Sequence, residues 1–183
     1  NGRNNNEDNF YFNKKHLPKN NKGLRTPLKY KGTTDDCPFF AVFDGMGGEA
    51  KGEEAACIAS EVFADELKKL DEIVIPGKEL FNSACQRANK AVCDFSDKKQ
   101  IGTMGTTAAA LYFPQDEVFV GNMGDSKVFR IRSNQMTQVS EDHTDEKILS
   151  SMGIAKKPVL LQYIGVPDTE MAIEPFVSKG DIL

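Results

Sequence analysis

Carboxylates stand at the ends of three apolar, strand-like runs, and that placement constrains this chain more than any other feature. Asn6-Glu7-Asp8-Asn9 opens the run Phe10-Tyr11-Phe12, and Phe40-Ala41-Val42-Phe43 closes on Asp44-Gly45-Met46-Gly47-Gly48. A third run leads into Gly121-Asn122-Met123-Gly124-Asp125-Ser126. The glycines after Asp44 let the backbone turn sharply and approach a ligand closely. Acidic groups gathered at strand ends repel one another unless cations sit between them. An oxygen-rich site of this kind suits Mg²⁺ or Mn²⁺, whereas the thiolate and imidazole ligands that zinc favours are scarce in a chain with 4 Cys and 2 His.

Residues 9–12 and 38–43 read as strands, the second so continuously apolar that burial on both faces is expected. An irregular connection rich in Asn, Lys, Gly and Thr joins them. Ala55, Ile58, Ala59, Val62, Phe63, Leu67 and Leu70 recur at helical spacing, as do Leu80, Phe81, Ala84, Cys85, Ala88, Ala91, Val92 and Phe95. Pro76-Gly77 separates the two helices. Strands follow at 106–113, 117–120, 127–132 and 136–139, joined by short turns. Two helices followed by a strand meander argue for an α+β domain with helices packed on antiparallel sheet.

With 183 residues and 39% hydrophobic content the chain can bury a sizeable core, and with no Pro/Gly/Ser-rich linker it reads as one domain over 1–183. A net charge of −4 and a pI near 5.3 give no general reason to bind nucleic acid or an anionic membrane. No apolar run approaches the ~18 residues of a membrane span, so the cytoplasm is the expected compartment. Cys37, Cys57, Cys85 and Cys93 lack Cys-x-x-Cys spacing. The last three fall in helical patterns as small core residues, and Cys37, just ahead of a strand, is expected to be partly exposed.

The three acidic segments, in this order, resemble the metal-dependent protein serine/threonine phosphatases, the PPM family of type-2C phosphatases. Arg3 stands five residues before Asp8, as in that family's opening motif, and Phe43-Asp44-Gly45-Met46-Gly47-Gly48 looks like its central metal motif. Met104-Gly105-Thr106-Thr107-Ala108, Gly121-Asn122-Met123-Gly124-Asp125-Ser126 and Ser140-Glu141-Asp142-His143-Thr144 match three further signatures. The segment 175–183 resembles the strand preceding the family's next motif.

The resemblance implies a four-layer α-β-β-α sandwich, two central antiparallel sheets flanked by helices, here lacking the C-terminal part and the first strand of the catalytic domain. It implies hydrolysis of phosphoserine and phosphothreonine in proteins, in opposition to a Ser/Thr kinase and by a monomer. The implied cofactors are two Mn²⁺ or Mg²⁺ ions, with a third, weaker site. Asp44 would bridge the two metals, Glu7 and the Gly45 carbonyl would serve one of them, and Asp8 would hold water beside them. Arg3 would bind the substrate phosphate through its forked guanidinium, and Asp125 would hold the additional metal. The rival reading is a pseudophosphatase or regulatory binding domain with an incomplete metal centre.

Other phosphatase chemistries do not fit. No cysteine is followed six positions later by arginine, and two histidines cannot build a histidine-rich dinuclear centre. Met46 stands where many eukaryotic relatives carry a histidine, which points to the bacterial branch and removes that general acid. The segment 145–163 is shorter than the flap of many bacterial relatives. His143 is read as structural, Thr144 as a helix N-cap, and Met152 as a packing residue.

Overall fold

The computed structural model describes residues 6–24, 26–46, 51–71, 73, 75–114, 117–167 and 176–181. Its elements run β1 (Asn9–Phe12), β2 (Phe39–Phe43), α1 (Gly52–Leu67), a 3₁₀ turn (Lys68–Asp71), α2 (Gly77–Lys99), β3 (Ala108–Tyr112), β4 (Glu117–Met123), β5 (Phe129–Arg132), β6 (Gln135–Gln138), α3 (Glu146–Ser151) and β7 (Phe176–Asp181). Strands β1, β2, β3, β4 and β7 form one sheet in that order, with every pairing antiparallel. β5 and β6 form a second, two-stranded antiparallel sheet. No helix among the described residues is long and apolar enough to cross a membrane.

Period-two alternation sends Tyr11, Phe39, Ala41, Phe43, Ala108, Ala110 and Tyr112 to one face of the larger sheet. Helices α1 and α2 pack together over that face. Their contact is close because it is made of small residues, with Ala55, Ala59, Ala84 and Ala88 all fully or almost fully buried. Phe63 fills the centre, its ring 5.1 Å from that of Phe43 and 5.8 Å from that of Phe81. Gly121 completes the fit, since a Cβ there would stand 2.6 Å from the Phe81 ring.

The opposite face is different. Phe10, Phe12, Phe40, Val42 and Leu111 border a cleft of about 390 Å³ whose far wall is formed by Lys127, Val128 and Phe129, at the entry to the second sheet. Val42 is 52% exposed, which corrects the expectation that β2 is buried on both faces. The helices cover one side only, and a continuous apolar strand cannot reveal which side that is. Cys37 is also corrected: it is 4% exposed, with its thiol donating to the Phe39 carbonyl.

One buried charge joins the two helices. The Glu66 carboxylate on α1 receives Arg87 and Ser83 from α2 and Lys69 from the 3₁₀ turn. Burial pushes this carboxyl up, but the bonds from Lys69 and Ser83 and the charge of Arg87 outweigh it and hold it below its ordinary value of 4.5. A lowered folded value adds stability above the unfolded value, and that stability is lost as pH falls through the folded one. Glu66→Gln should therefore cost about 1–2 kcal/mol at neutral pH, a figure reduced because Arg87 and Lys69 are half exposed. Thermal melting should show the gap to wild type closing as the pH is taken below 4.5; a gap that stays constant would rule out the ion cluster as its source.

Candidate metal edge

Antiparallel pairing places residues distant in sequence at one edge of the sheet. Asn9 pairs with Phe43, so Glu7-Asp8 enters β1 where Asp44 leaves β2. Ala108 pairs with Met123, so Thr107 enters β3 where Gly124-Asp125 leaves β4. Because β2 also pairs with β3, the two pairs of ends face the same way.

The ladder continues beyond the strands and fixes the backbone of Asp44. Its N–H donates to Thr107 Oγ1 (3.1 Å), and its carbonyl accepts from the Thr107 N–H (3.0 Å) and from Thr106 Oγ1 (3.0 Å). Gly45 then bridges to Thr106, and the Met46 N–H donates to the Gly105 carbonyl at 3.0 Å. Gly45 has no room for a side chain: a Cβ would stand 2.5 Å from the Glu7 carbonyl oxygen and 2.5 Å from that of Gly52. The turn after β2 is thus wedged between Glu7, two residues ahead of β1, and the start of α1.

Asp125 is held by a separate clasp. Gly124, at φ +105° and with the Thr107 methyl 2.7 Å from where a Cβ would lie, requires glycine. Its N–H donates to His143 Nδ1 (3.1 Å), while its carbonyl accepts from the His143 N–H (3.0 Å) and from Asn122 Nδ2 (3.0 Å). His143 therefore carries its ring proton on Nε2 in the neutral form. Thr107 Oγ1 and Ser126 Oγ share a 2.6 Å hydrogen bond that links the Asp125 turn to the Asp44 turn.

Asp8 and Asp44 line one open cleft of about 420 Å³, together with Asn6, Asn9, Leu17, Gly23 and Leu24. Both aspartates are exposed and Glu7 is half-buried. Asp125, also exposed, is not in the wall of that cleft. Among the described residues no three His, Cys, Asp or Glu side chains converge closely enough to hold an ion by themselves. The edge thus brings two of the expected acids into one cleft and leaves Asp125 on the far side of the threonine pair. Arg3, Gly47 and Gly48 lie outside the described residues. The donor set that is present, carboxylates and a closely wedged glycine carbonyl, has the chemistry of a hard divalent cation site.

Sequence reasoning quoted Thr106, Thr107 and Asn122 within motifs but assigned them no task. Paired threonines just before a buried strand were the available signal. Asn89 was missed altogether: fully buried on α2, it accepts from the Gly165 N–H at 2.7 Å and donates to the Val166 carbonyl at 2.9 Å. It thereby secures the segment that pairs with Thr106 through Ile164. Two smaller expectations fail. Asp145, not Thr144, occupies the N-cap of α3, its carboxylate accepting from the Val159 N–H. Met152 is 66% exposed, because α3 has no buried residue against which to pack it.

A helix-backed antiparallel sheet with aspartates gathered at one edge is the plan of the metal-dependent phosphatases that the motifs resemble. The chain belongs to the protein phosphatase 2C family, whose model matches residues 29–152. It is 28% identical over 165 residues to the serine/threonine phosphatase Stp of Listeria monocytogenes, an alignment covering 81% of this chain and 65% of that one. It is 31% identical over 117 residues to the serine/threonine protein phosphatase PstP of Mycobacterium tuberculosis, covering 62% of this chain and 22% of PstP. The chain thus spans a little under two thirds of the length of the Listeria relative. Among solved structures, Stp1 of Staphylococcus aureus superposes with a TM-score of 0.69 at 21% identity, covering 98% of this chain and 67% of Stp1. PstP in complex with two manganese ions superposes with a TM-score of 0.64 at 24% identity, covering 98% of this chain and 67% of that one. The fold is therefore the α+β, two-sheet arrangement of the type-2C phosphatases.

Proposed function

We propose that this chain forms the metal-binding edge of a protein serine/threonine phosphatase of bacterial type that hydrolyses phosphoserine and phosphothreonine monoesters with Mn²⁺ or Mg²⁺. The observation that carries the reading is the gathering of Glu7-Asp8, Asp44-Gly45 and Gly124-Asp125 at one sheet edge, from segments more than thirty residues apart. Paired divalent ions in such sites activate water at neutral pH and offset charge on the phosphoryl group.

The residues have distinct tasks in this reading. Asp44, its backbone pinned by Thr106 and Thr107, would present its carboxylate to both ions. Glu7 and the Gly45 carbonyl would serve one of them, and Asp8, which lines the same cleft as Asp44, would orient the attacking water. Asp125 serves a separate, weaker ion, consistent with its position outside the Asp8–Asp44 cleft. Arg3 binds the substrate phosphate. With Met46 in place of a general acid, leaving-group protonation falls to water.

The full-length protein should hydrolyse phosphothreonine peptides in Mn²⁺ and stop when EDTA is added; turnover that persists in EDTA would exclude the mechanism. Calorimetric titration should resolve two tight ions and a weaker third, and Asp125→Ala should abolish only the third. If Asp125 merely shapes a turn, the variant will instead lose about 0.5–2 kcal/mol of stability with no change in turnover.

A further inference from the structure

Cation distribution along this chain is strongly uneven. Of its 23 Lys and Arg, seven fall within residues 14–31, and none of its 27 Asp and Glu do. This stretch is the long connection between β1 and β2, and side-chain bonds fasten it to the acidic edge. Asn9 Oδ1 accepts from the Leu17 N–H (2.8 Å) and Asn9 Nδ2 donates to the Leu17 carbonyl (2.9 Å). Further along, the Asn6 N–H donates to the Asn21 carbonyl (3.0 Å), and Asn6 Nδ2 to Asn21 Oδ1 (3.1 Å). The same Asn21 Oδ1 accepts from the Gly23 N–H at 2.9 Å. Lys22 is thereby fixed between a residue bonded next to Glu7 and two residues, Gly23 and Leu24, that wall the cleft holding Asp8 and Asp44.

Lys19 is neutralised by Glu54. Lys22, Lys29 and Lys31 are exposed, and among the described residues no carboxylate pairs with them. An exposed charge run is ordinarily just a solvated surface. Here Lys22 adjoins two walls of the proposed catalytic cleft, Gly23 and Leu24, and Lys29 and Lys31 flank Tyr30, whose ring meets that of Phe12 at the other end of β1, so an anionic segment running from the cleft along that strand would meet all three.

We propose that the 14–31 loop is a docking surface that selects phosphopeptides with acidic residues flanking the phosphorylated side chain. The proposal rests on the phosphatase reading above and adds a substrate class to it. A peptide presenting its phosphate at the Asp8–Asp44 cleft would lay its flank along the loop, where carboxylates meet lysines. A long polyanion fits less well, because every acidic residue of the chain lies outside the loop and would repel it beyond this one patch. Attraction between exposed charges acts over about 10 Å at 0.1 M salt, so the preference should weaken as salt is raised.

The test uses the full-length protein and two phosphothreonine peptides of equal length, one flanked by aspartates and one by serines. At low salt kcat/KM should favour the acidic peptide by about tenfold, mainly through KM, and the ratio should approach one near ~0.5 M salt. The triple variant Lys22→Glu, Lys29→Glu, Lys31→Glu, with unchanged circular dichroism, should favour the serine peptide. A wild-type ratio near one, or a variant that keeps the wild-type ratio, would overturn the proposal. If Mn²⁺ supports no hydrolysis of either peptide, the phosphatase reading fails, and fluorescence anisotropy of the two labelled peptides still decides whether the loop binds the acidic one more tightly. Loss of RNA or anionic-vesicle binding in the variant, with the peptide ratio unchanged, would also overturn it.

Discussion

Asp44→Asn in the full-length protein is expected to lower Mn²⁺-dependent turnover by about a thousandfold or more, and to weaken metal binding in parallel, while the fold survives. The substitution keeps the side-chain shape and removes the charge that balances divalent ions in the proposed site. The bonds from Thr106 and Thr107 to the peptide group of residue 44 survive the substitution, because none of them involves its carboxylate. Circular dichroism and melting temperature should match wild type. Near-normal turnover at saturating Mn²⁺ would remove Asp44 from the site.

Gly45→Ala should be as damaging to activity but by another route. Its new methyl group would face two backbone oxygens at 2.5 Å, and neither can swing aside as the end of a flexible side chain could. Either β1 or the start of α1 must shift, and the cost should be about 2–4 kcal/mol of stability together with loss of turnover. Gly102→Ala is the control, because a Cβ there meets nothing within 4 Å. Equal melting temperatures for the two variants would show that the close approach at Gly45 is not maintained in solution.

Much of this architecture is legible in the sequence, because its signals are local and periodic. The continuous apolar run Phe39-Phe40-Ala41-Val42-Phe43 marks a strand and the helical recurrence through Ala55, Ala59 and Phe63 marks a helix, and both elements are observed. Asp44-Gly45 is legible as a sharp turn for the same reason. Long-range matters are not. Asn89 reads as one more polar residue on a helix, and only the folded chain brings it to Gly165 and Val166. The exposure of Val42 depends on which sheet face the helices cover, a choice the strand itself does not encode. Cys37 resembles a surface residue because its neighbours are polar, whereas its burial comes from packing near Phe39, Leu67 and Leu70, which share its pocket.

The acids assigned to the metal site occupy only one end of the strands, and this leaves the β3–β4 turn at the other end free to vary. The β3–β4 turn at that far end, where the Glu117 N–H donates to the Pro114 carbonyl, holds none of the residues assigned to chemistry. A flexible segment spliced in there would cost little more than the entropy of closing a longer loop, roughly 0.6 kcal/mol per doubling of its length, and should leave ion affinity where it was. A fold arranged this way can acquire tethers, reporter tags or whole accessory modules at its rear while the face that meets substrate stays as it is.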